Sequence, residues 1–174
     1  LGAETVVVGR DMRLTSEGIA TALMRGLTEG GADVLDIGLC GTEEVYYATF
    51  NENADGGIMV TASHNPRDYN GMKFVREQAR PISADTGLFD IEDMVHANDF
   101  PESKRSGEIK PLDHRPSYID FLLQQIEPEK MKPLKIVANP GNGCAGLIIE
   151  QLEKRLPFEF IKVHFEPDGD LPNG

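Results

Sequence analysis

The sequence predicts an α/β fold, in which a mixed, mostly parallel sheet is flanked by helices and followed by the beginning of a second, similar domain. Short apolar or β-branched runs of strand length alternate with longer segments whose apolar residues recur at helical spacing, which is typical of this class. A polar stretch punctuated by prolines, residues 99–112, has neither period and separates two such series. We therefore predict a first domain at 1–98, a linker at 99–112 and the first part of a second domain at 113–174.

The first series predicts the element order β-α-β-α-β-β-α. Its strands are expected at 5–8, 34–37, 58–60 and 72–75. Its helices are expected after Thr15 or Ser16, after Thr42 and over residues 83–98. The connection between the third and fourth strands is too short for a helical crossover, so the fourth strand should run antiparallel to a neighbour.

The second series begins with a helix that Asp113 caps, and its apolar residues recur at helical spacing. The further expected elements are a strand at 134–138, a helix that includes Ala145 and Leu152, and a strand at 158–163. The glycine-rich turn at 139–143 joins a strand to a helix, where backbone amides can bind phosphate. It matches neither the P-loop nor the dinucleotide-binding pattern, so we interpret it as a tight connection.

Composition argues against several classes of function. The formal net charge of −12 opposes binding to nucleic acid or to acidic membranes, because both attract cationic surfaces. No apolar run approaches the ~20 residues that span a bilayer, and the start has no charged-then-apolar leader. We interpret the start at Leu1 as a truncated end. Cys40 and Cys144 form no CxxC pair, so we expect free buried thiols and a cytoplasmic location.

The candidate catalytic residues follow the third strand. The apolar run at 58–60 predicts a buried strand, and the chain then enters small and polar residues that end in the turn Asn65-Pro66. Ser63 and His64 should therefore lie beyond the carboxyl end of a core strand, where open α/β sheets bind ligands. Serine can accept a phosphoryl or acyl group, His64 could move a proton and Lys73 could neutralise an anion. Adjacent serine and histidine residues more often point apart on surface loops, and the residues by themselves leave both interpretations open.

Two further groups of residues have a functional and a structural interpretation. Arg10, Asp11 and Arg13 follow the first strand, and we favour ion pairing among themselves over direct catalysis. Tyr46 and Tyr47 could form a platform that stacks on a sugar, but their helical context favours half-buried packing.

Two motifs resemble one enzyme family. They are Thr61-Ala62-Ser63-His64-Asn65-Pro66 and Tyr69-Asn70-Gly71-Met72-Lys73, which together resemble the phosphoserine loop of the α-D-phosphohexomutases. The likeness is strongest to the phosphomannomutase/phosphoglucomutase branch, and residues 75–88 resemble its bacterial phosphomannomutases in particular. The resemblance runs over essentially the whole chain and implies the fold of the family's first three domains.

The resemblance implies interconversion of mannose 6-phosphate and mannose 1-phosphate through a phosphoserine and a hexose 1,6-bisphosphate. Ser63 would carry the phosphoryl group and supply one Mg²⁺ ligand, while His64 and Lys73 would transfer protons and stabilise charge. The implied partners are a hexose phosphate, of mannose or glucose, and the hexose 1,6-bisphosphate, with no nucleic acid and no membrane. The family's segment before the first strand is missing, and its metal aspartates, sugar loop and phosphate clamp are expected beyond Gly174. We therefore expect this chain alone to be inactive and to bind magnesium weakly or not at all.

Several alternatives stay open. Within the family, the activity could be that of a phosphoglucomutase or a phosphoglucosamine mutase, and outside it the fold could serve a non-catalytic module that binds a sugar phosphate or a protein. A serine hydrolase is disfavoured because Ala62-Ser63-His64 lacks the Gly-x-Ser-x-Gly elbow. Asp168-Gly169-Asp170 suggests a metal loop, but it better resembles the family segment ahead of that loop, and we expect no metal there.

Overall fold

The computed structural model describes residues 2–100 and 103–173. The strands within these ranges are β1 Thr5–Arg10, β2 Asp33–Leu39, β3 Gly56–Val60, β4 Met72–Arg76, β5 Arg80–Pro81, β6 Ile109–Pro111, β7 Leu134–Ala138 and β8 Phe158–Lys162. The α-helices are α1 Ser16–Glu29, α2 Thr42–Asn51, α3 Leu88–Ala97, α4 Arg115–Gln124 and α5 Ala145–Glu153. No helix in the described ranges has both the length and the apolar character needed to cross a membrane.

The first sheet contains six strands in the order β5-β4-β3-β1-β2-β6. Strands β1, β2, β3 and β6 are parallel, and β4 runs antiparallel to both β3 and β5. The predicted α/β class with a mixed, mostly parallel sheet is confirmed, including the antiparallel fourth strand. Strands β7 and β8 form a second, parallel pair that α5 connects.

Each face of the first sheet has its own apolar core because side chains alternate along the strands. Helix α1 covers one face, and the core there comprises Val6, Val8, Val34, Ile58 and Val60 with Ala20 and Met24. Helix α2 covers the other face, and that core comprises Val7, Ile37 and Met59 with Cys40, Val45 and Ala48. Every residue of β3 is buried, so the strand that leads to the candidate serine is held on both faces.

Helix α2 lies unusually close to the sheet at Gly57. A Cβ atom at this position would lie 2.1 Å from Thr49 Oγ1 and 3.1 Å from Val45 Cγ1. Only glycine fits this contact without displacement of the helix. The Thr49 hydroxyl itself donates to the Val45 carbonyl, so it places no unpaired donor against the strand.

Three elements differ from the sequence prediction, and one of them is the two-residue strand β5, which was not expected. The single helix expected at 83–98 is a short 3₁₀ turn, Ala84–Thr86, followed by α3, and the break lies at Gly87, whose φ is +128°. A left-handed φ of this kind cannot continue a right-handed helix. Part of the expected linker is also a strand, because β6 pairs with the edge of the sheet at β2.

The pairing of β6 depends on contacts with β2 that the composition of β6 does not predict. The Asp33 carboxylate accepts the Glu108 N–H at 2.9 Å and the Arg105 guanidinium at 2.6 Å, and the Val34 N–H donates to the Glu108 carbonyl. Pro111 is tolerated because an edge strand can lack one donor. The division into residues 1–98, a linker and residues 113–174 stays a prediction.

Candidate functional site

The segment from Thr61 to Asn70, here called the serine loop, leaves the carboxyl end of β3. Its turns are fixed by its own backbone, since the Asn65 N–H donates to the Ala62 carbonyl at 3.0 Å and the Tyr69 N–H donates to the Pro66 carbonyl at 3.0 Å. The Ser63 N–H donates to Thr61 Oγ1 at 2.9 Å. Ser63 itself has a φ of +55°, in the left-handed region. A serine in this region is strained by about 1–2 kcal/mol and needs surrounding contacts to hold it.

The structure brings the side chains of Ser63 and His64 together. Both residues are exposed, and Ser63 Oγ lies 3.4 Å from His64 Nδ1. This separation is at the outer limit of a hydrogen bond, and such contacts commonly shorten when a substrate binds. The neighbouring pair therefore does not point apart, as most such pairs do, because the left-handed Ser63 backbone turns the two side chains to one side.

Lys73 lies on β4 directly opposite Met59 of β3. Opposed side chains of antiparallel strands project from the same face, which here is the α2 face of the sheet. Met59 and Ser63 both line a cleft on that face. The Lys73 side chain is exposed and makes no ion pair with another residue of the described ranges. Its amine is therefore available to an anionic ligand at this end of the sheet.

A charged residue that the sequence analysis set aside lies beneath the serine loop. The Arg13 guanidinium, in a residue only 3% exposed, donates to the carbonyl oxygens of Ser63, Asn65, Pro66 and Tyr69 at 2.7–3.0 Å. Its Nε lies 3.3 Å from Asp11 Oδ2. The pairing of Asp11 with Arg13 agrees with the interpretation favoured from the sequence, whereas Arg10 pairs elsewhere, with Glu17 and Asp36. The sequence analysis missed the contact between Arg13 and the serine loop.

Asp11 connects the same loop to helix α1. One carboxylate oxygen accepts the Thr61 hydroxyl at 2.7 Å, and the other accepts the Ser16 hydroxyl at 2.6 Å. Because Thr61 Oγ1 in turn accepts the Ser63 N–H, a chain of hydrogen bonds runs from Asp11 to the candidate serine. The parallel register that pairs Arg10 with Val60 places the two loops side by side, since both strands end there.

Two clefts meet at Ser63. The first, of about 300 Å³, lies on the α2 face and includes Met59 and Cys144 in its lining. The second, of about 520 Å³, lies between the serine loop and two loops of the later part of the chain, at 140–143 and 170–171. Arg67 Nη1 crosses its edge to Asp170 Oδ1 at 3.4 Å. The turn that the sequence analysis interpreted as a tight connection therefore also lines the candidate site.

Asn142 holds the two loops of the later part together. It is buried, its N–H donates to the His164 carbonyl, and its side-chain amide donates to the Glu166 carbonyl at 2.9 Å. Its own carbonyl accepts the Asp168 N–H at 2.9 Å. These bonds fix the wall of the second cleft that faces Ser63.

Cys144 lines the first cleft but is unsuited to be a nucleophile. Burial raises the pKa of its thiol to about 12, and the nearby Asp11 carboxylate adds to this shift. The thiol, not the thiolate, is therefore the form present at neutral pH. Ser63 and His64, both exposed, are cleft residues of types suited to group transfer.

The donors of this region do not form a complete metal site. Among the described residues, no group of three or more His, Cys, Asp or Glu side chains is placed to hold a metal ion. Asp168 Oδ1 accepts the Asp170 N–H at 2.9 Å, and Asp170 Oδ1 faces Arg67, so these two carboxylates are turned to protein partners. Ser63 offers a single oxygen, and its role as a magnesium ligand stays a prediction.

Comparison with known proteins gives consistent matches in both parts of the chain. Residues 1–102 match the family model for phosphoglucomutase/phosphomannomutase, α/β/α domain I, and residues 116–174 match the model for domain II of the same family.

Relatives and a solved structure extend this likeness. The chain is 53% identical to a phosphomannomutase of Vibrio cholerae, over 98% of this chain and 38% of the relative. It is 54% identical to a phosphomannomutase of Salmonella typhimurium, over 100% of this chain and 40% of the relative. A crystal structure of a phosphoglucomutase/phosphomannomutase family protein from Burkholderia thailandensis is similar with a TM-score of 0.88 at 32% identity, over 99% of this chain and 38% of that one. The chain thus spans about two-fifths of the length of these relatives.

Proposed function

Because the chain belongs to the phosphoglucomutase/phosphomannomutase family, we propose that it supplies the phosphoserine-bearing part of a phosphomannomutase. The reaction is the reversible interconversion of mannose 6-phosphate and mannose 1-phosphate through a hexose 1,6-bisphosphate. The observation that carries the proposal is Ser63, an exposed hydroxyl on a firmly held loop, 3.4 Å from an imidazole and at the meeting point of two clefts.

Ser63 is the carrier in both half-reactions. In the first, the bond between Ser63 Oγ and phosphorus breaks as a bond forms between phosphorus and the free hydroxyl oxygen of the sugar, and the proton that this hydroxyl loses is passed by His64 to the departing Ser63 Oγ. In the second, Ser63 Oγ forms a bond to the other phosphoryl group of the bisphosphate as the bond between that phosphorus and its sugar oxygen breaks, and the serine proton passes by way of His64 to the departing sugar oxygen. Each exchange needs an in-line approach and stabilisation of the charge on the transferred group.

His64 is the proton acceptor that the geometry favours for the second half-reaction. Its Nδ1 is the ring atom that faces Ser63 Oγ, so the tautomer with the proton on Nε2 can take the serine proton. In the first half-reaction the proton moves in the opposite direction, from His64 to Ser63 Oγ. A positioned acid or base of this kind contributes roughly 10²–10⁴-fold in rate.

Lys73 supplies positive charge in a chain whose formal net charge is −12. An exposed ammonium on the face that carries the first cleft favours a dianionic sugar phosphate over neutral sugars. We assign to it the stabilisation of the transferring phosphoryl group and a share in proton transfer.

Members of this family are generally Mg²⁺-dependent, and a bound ion would neutralise charge on the phosphoryl oxygens. The described residues do not fit such an ion on their own. We propose that Ser63 supplies one ligand, and that this chain alone binds Mg²⁺ weakly and is inactive as a mutase. Titration calorimetry of the 174-residue chain with MgCl₂ tests the first point, and a coupled mutase assay tests the second.

The decisive experiment measures covalent phosphate. The natural full-length form of the protein is incubated with a hexose 1,6-bisphosphate, and intact mass with peptide mapping locates any added phosphoryl group. We expect one phosphoryl group on Ser63, and we expect Ser63→Ala to abolish turnover of mannose phosphates. Phosphate on another residue with Ser63 bare, or ordinary turnover by Ser63→Ala, would contradict the proposal.

The same assay separates the related activities. Comparison of kcat/KM for the 1-phosphates of mannose, glucose and glucosamine identifies the preferred sugar, and we expect mannose to lead because the relatives named above are phosphomannomutases. A non-catalytic module would bind these sugars without acquiring phosphate. We also propose a cytoplasmic location, in keeping with two cysteines that are free thiols.

A further inference from the structure

Arg13 is the most heavily engaged charged residue near the candidate serine. Its two terminal nitrogens donate four hydrogen bonds, to four carbonyl oxygens of one ten-residue loop. Burial of a guanidinium is costly unless it is paired, and here four backbone carbonyls accept from its terminal nitrogens while the Asp11 carboxylate supplies the opposite charge 3.3 Å from Nε, which makes no hydrogen bond. The serine loop is thus folded around a cation that solvent scarcely reaches.

These hydrogen bonds decide which way the peptide groups of the loop face. All described peptide bonds are trans, so each carbonyl points opposite to the N–H of the same peptide group. The Ser63 carbonyl points inward to Arg13, and the His64 N–H therefore points outward. The Pro66 carbonyl also points inward, and the Arg67 N–H points outward.

The outward side is the side of the clefts. Ser63, His64 and Arg67 are exposed and line the second cleft, and Arg13, which is only 3% exposed, contributes to its lining from beneath them. Within the described residues, neither the His64 N–H nor the Arg67 N–H donates to another protein group. These two N–H groups are three residues apart, and the Asn65 N–H between them donates to the Ala62 carbonyl. Backbone N–H groups that a turn leaves facing outward can bind an anion.

We propose that Arg13 is a positioning residue, which turns the serine loop so that the His64 and Arg67 N–H groups face the phosphoryl group carried by Ser63. This inference rests on the proposed phosphoserine function. Arg13 does not touch the substrate; it holds Ser63 in its left-handed conformation and presents the backbone donors. Asp11 orients the Arg13 side chain from the other side, and through Thr61 it also holds the Ser63 N–H.

The test compares three arginine variants of the natural full-length protein. Arg13→Met removes the donors, and Arg13→Lys keeps the charge but cannot span four carbonyls from one compact ammonium. Arg10→Met is the matched control, because Arg10 is a partly buried arginine whose guanidinium pairs with Glu17 and Asp36 and not with the carbonyls of the serine loop. Thermal unfolding of each variant is recorded beside the kinetics.

Two readouts respond to positioning and not to stability alone. We expect kcat to fall about 10²-fold in both Arg13 variants, as for a misplaced reacting group, with KM within about threefold of the wild type. We also expect ³¹P NMR to show that the second pKa of phosphorylated Ser63 lies below its usual value of about 6 in the wild type and returns toward 6 in Arg13→Met. Arg10→Met should match the wild type in both.

A third measurement needs no substitution and stays informative if Arg13→Met does not fold. The amide proton of His64 should move downfield when Ser63 of the wild type becomes phosphorylated, because it gains a charged acceptor. An unmoved His64 amide in the phosphorylated wild type overturns the proposal, as do Arg13 variants with wild-type kcat and phosphoserine pKa. If Ser63 of the wild type cannot be phosphorylated at all, the proposed function itself has failed, so the two failures are distinguishable.

Discussion

The buried pair Glu44–His114 should be among the most sensitive points of the molecule. Glu44 lies in the first turn of α2 and is 1% exposed, and His114 precedes α4 and is 3% exposed. Their side chains meet at 2.6 Å, while the other carboxylate oxygen of Glu44 accepts the Gly41 N–H at 2.7 Å. The pair therefore connects the first sheet to the beginning of the second series and also caps a helix.

The change Glu44→Ala removes both contacts. Loss of the helix cap costs about 1 kcal/mol, and a buried imidazole left without its hydrogen-bond partner costs about 3 kcal/mol. We expect the free energy of unfolding to fall by about 4 kcal/mol, which lowers the unfolding temperature by roughly 8–16 °C in a chain of this size. Glu44→Gln keeps the volume and an acceptor for Gly41, so its loss should be only about 1 kcal/mol.

The assay is thermal and urea unfolding of the 174-residue chain, followed by circular dichroism. Glu43→Ala is the matched control, because it removes the same side chain from the same helical turn at an exposed position. We expect Glu43→Ala to stay within about 0.5 kcal/mol of the wild type, since it loses only a helix-terminus charge. If Glu44→Ala unfolds at the same temperature as Glu43→Ala, the pair does not stabilise the molecule and the reasoning is refuted.

Three other predictions follow from the geometry. Gly57→Ala should lower the free energy of unfolding by about 1–3 kcal/mol in urea, because the added Cβ meets Thr49. Gly26→Ala is the control: it has open space around it in α1 and should raise the free energy of unfolding by about 1 kcal/mol. Equal effects of the two substitutions would contradict the close approach of α2 to Gly57. His64→Ala in the natural full-length protein should lower kcat by roughly 10²–10⁴-fold in a steady-state assay, and an unchanged kcat would remove its role as proton acceptor. Burial raises the pKa of Cys144 from 9.0 to about 12, so its contribution to stability is fully present below pH 9 and is lost as pH rises toward 12. Cys144→Ser should flatten the decline of the urea midpoint above pH 9, and a wild-type midpoint that does not fall there would contradict the raised pKa.

Local patterns were sufficient to predict six of the eight strands that the structure describes and the loop that carries the candidate serine. The apolar run of β3 and the turn at Asn65-Pro66 lie next to each other in the chain, so they indicated a core strand that ends in a loop. The short connection before β4 similarly predicted its antiparallel direction. In each case the physical cause, either burial or chain length, acts within a few residues.

The contacts of Arg13 illustrate what those patterns do not contain. Its partners lie 50–56 residues away along the chain, and they are backbone carbonyls, which every residue type provides. Strand β6 is similar, because its pairing depends on Asp33 of a distant element. No spacing or residue preference along the chain predicts the contact of Arg13 with the serine loop or that of β6 with Asp33.

The sequence by itself determined the class of fold and the loop that carries Ser63 after a buried strand, because burial and turn formation depend on neighbours in the chain. Only the tertiary structure decided that Arg13 lies beneath Ser63 and that the loops at 140–143 and 170–171 face it. The reason is the parallel register of β1 and β3, in which Arg10 lies beside Val60 and two loops far apart in sequence leave the sheet side by side.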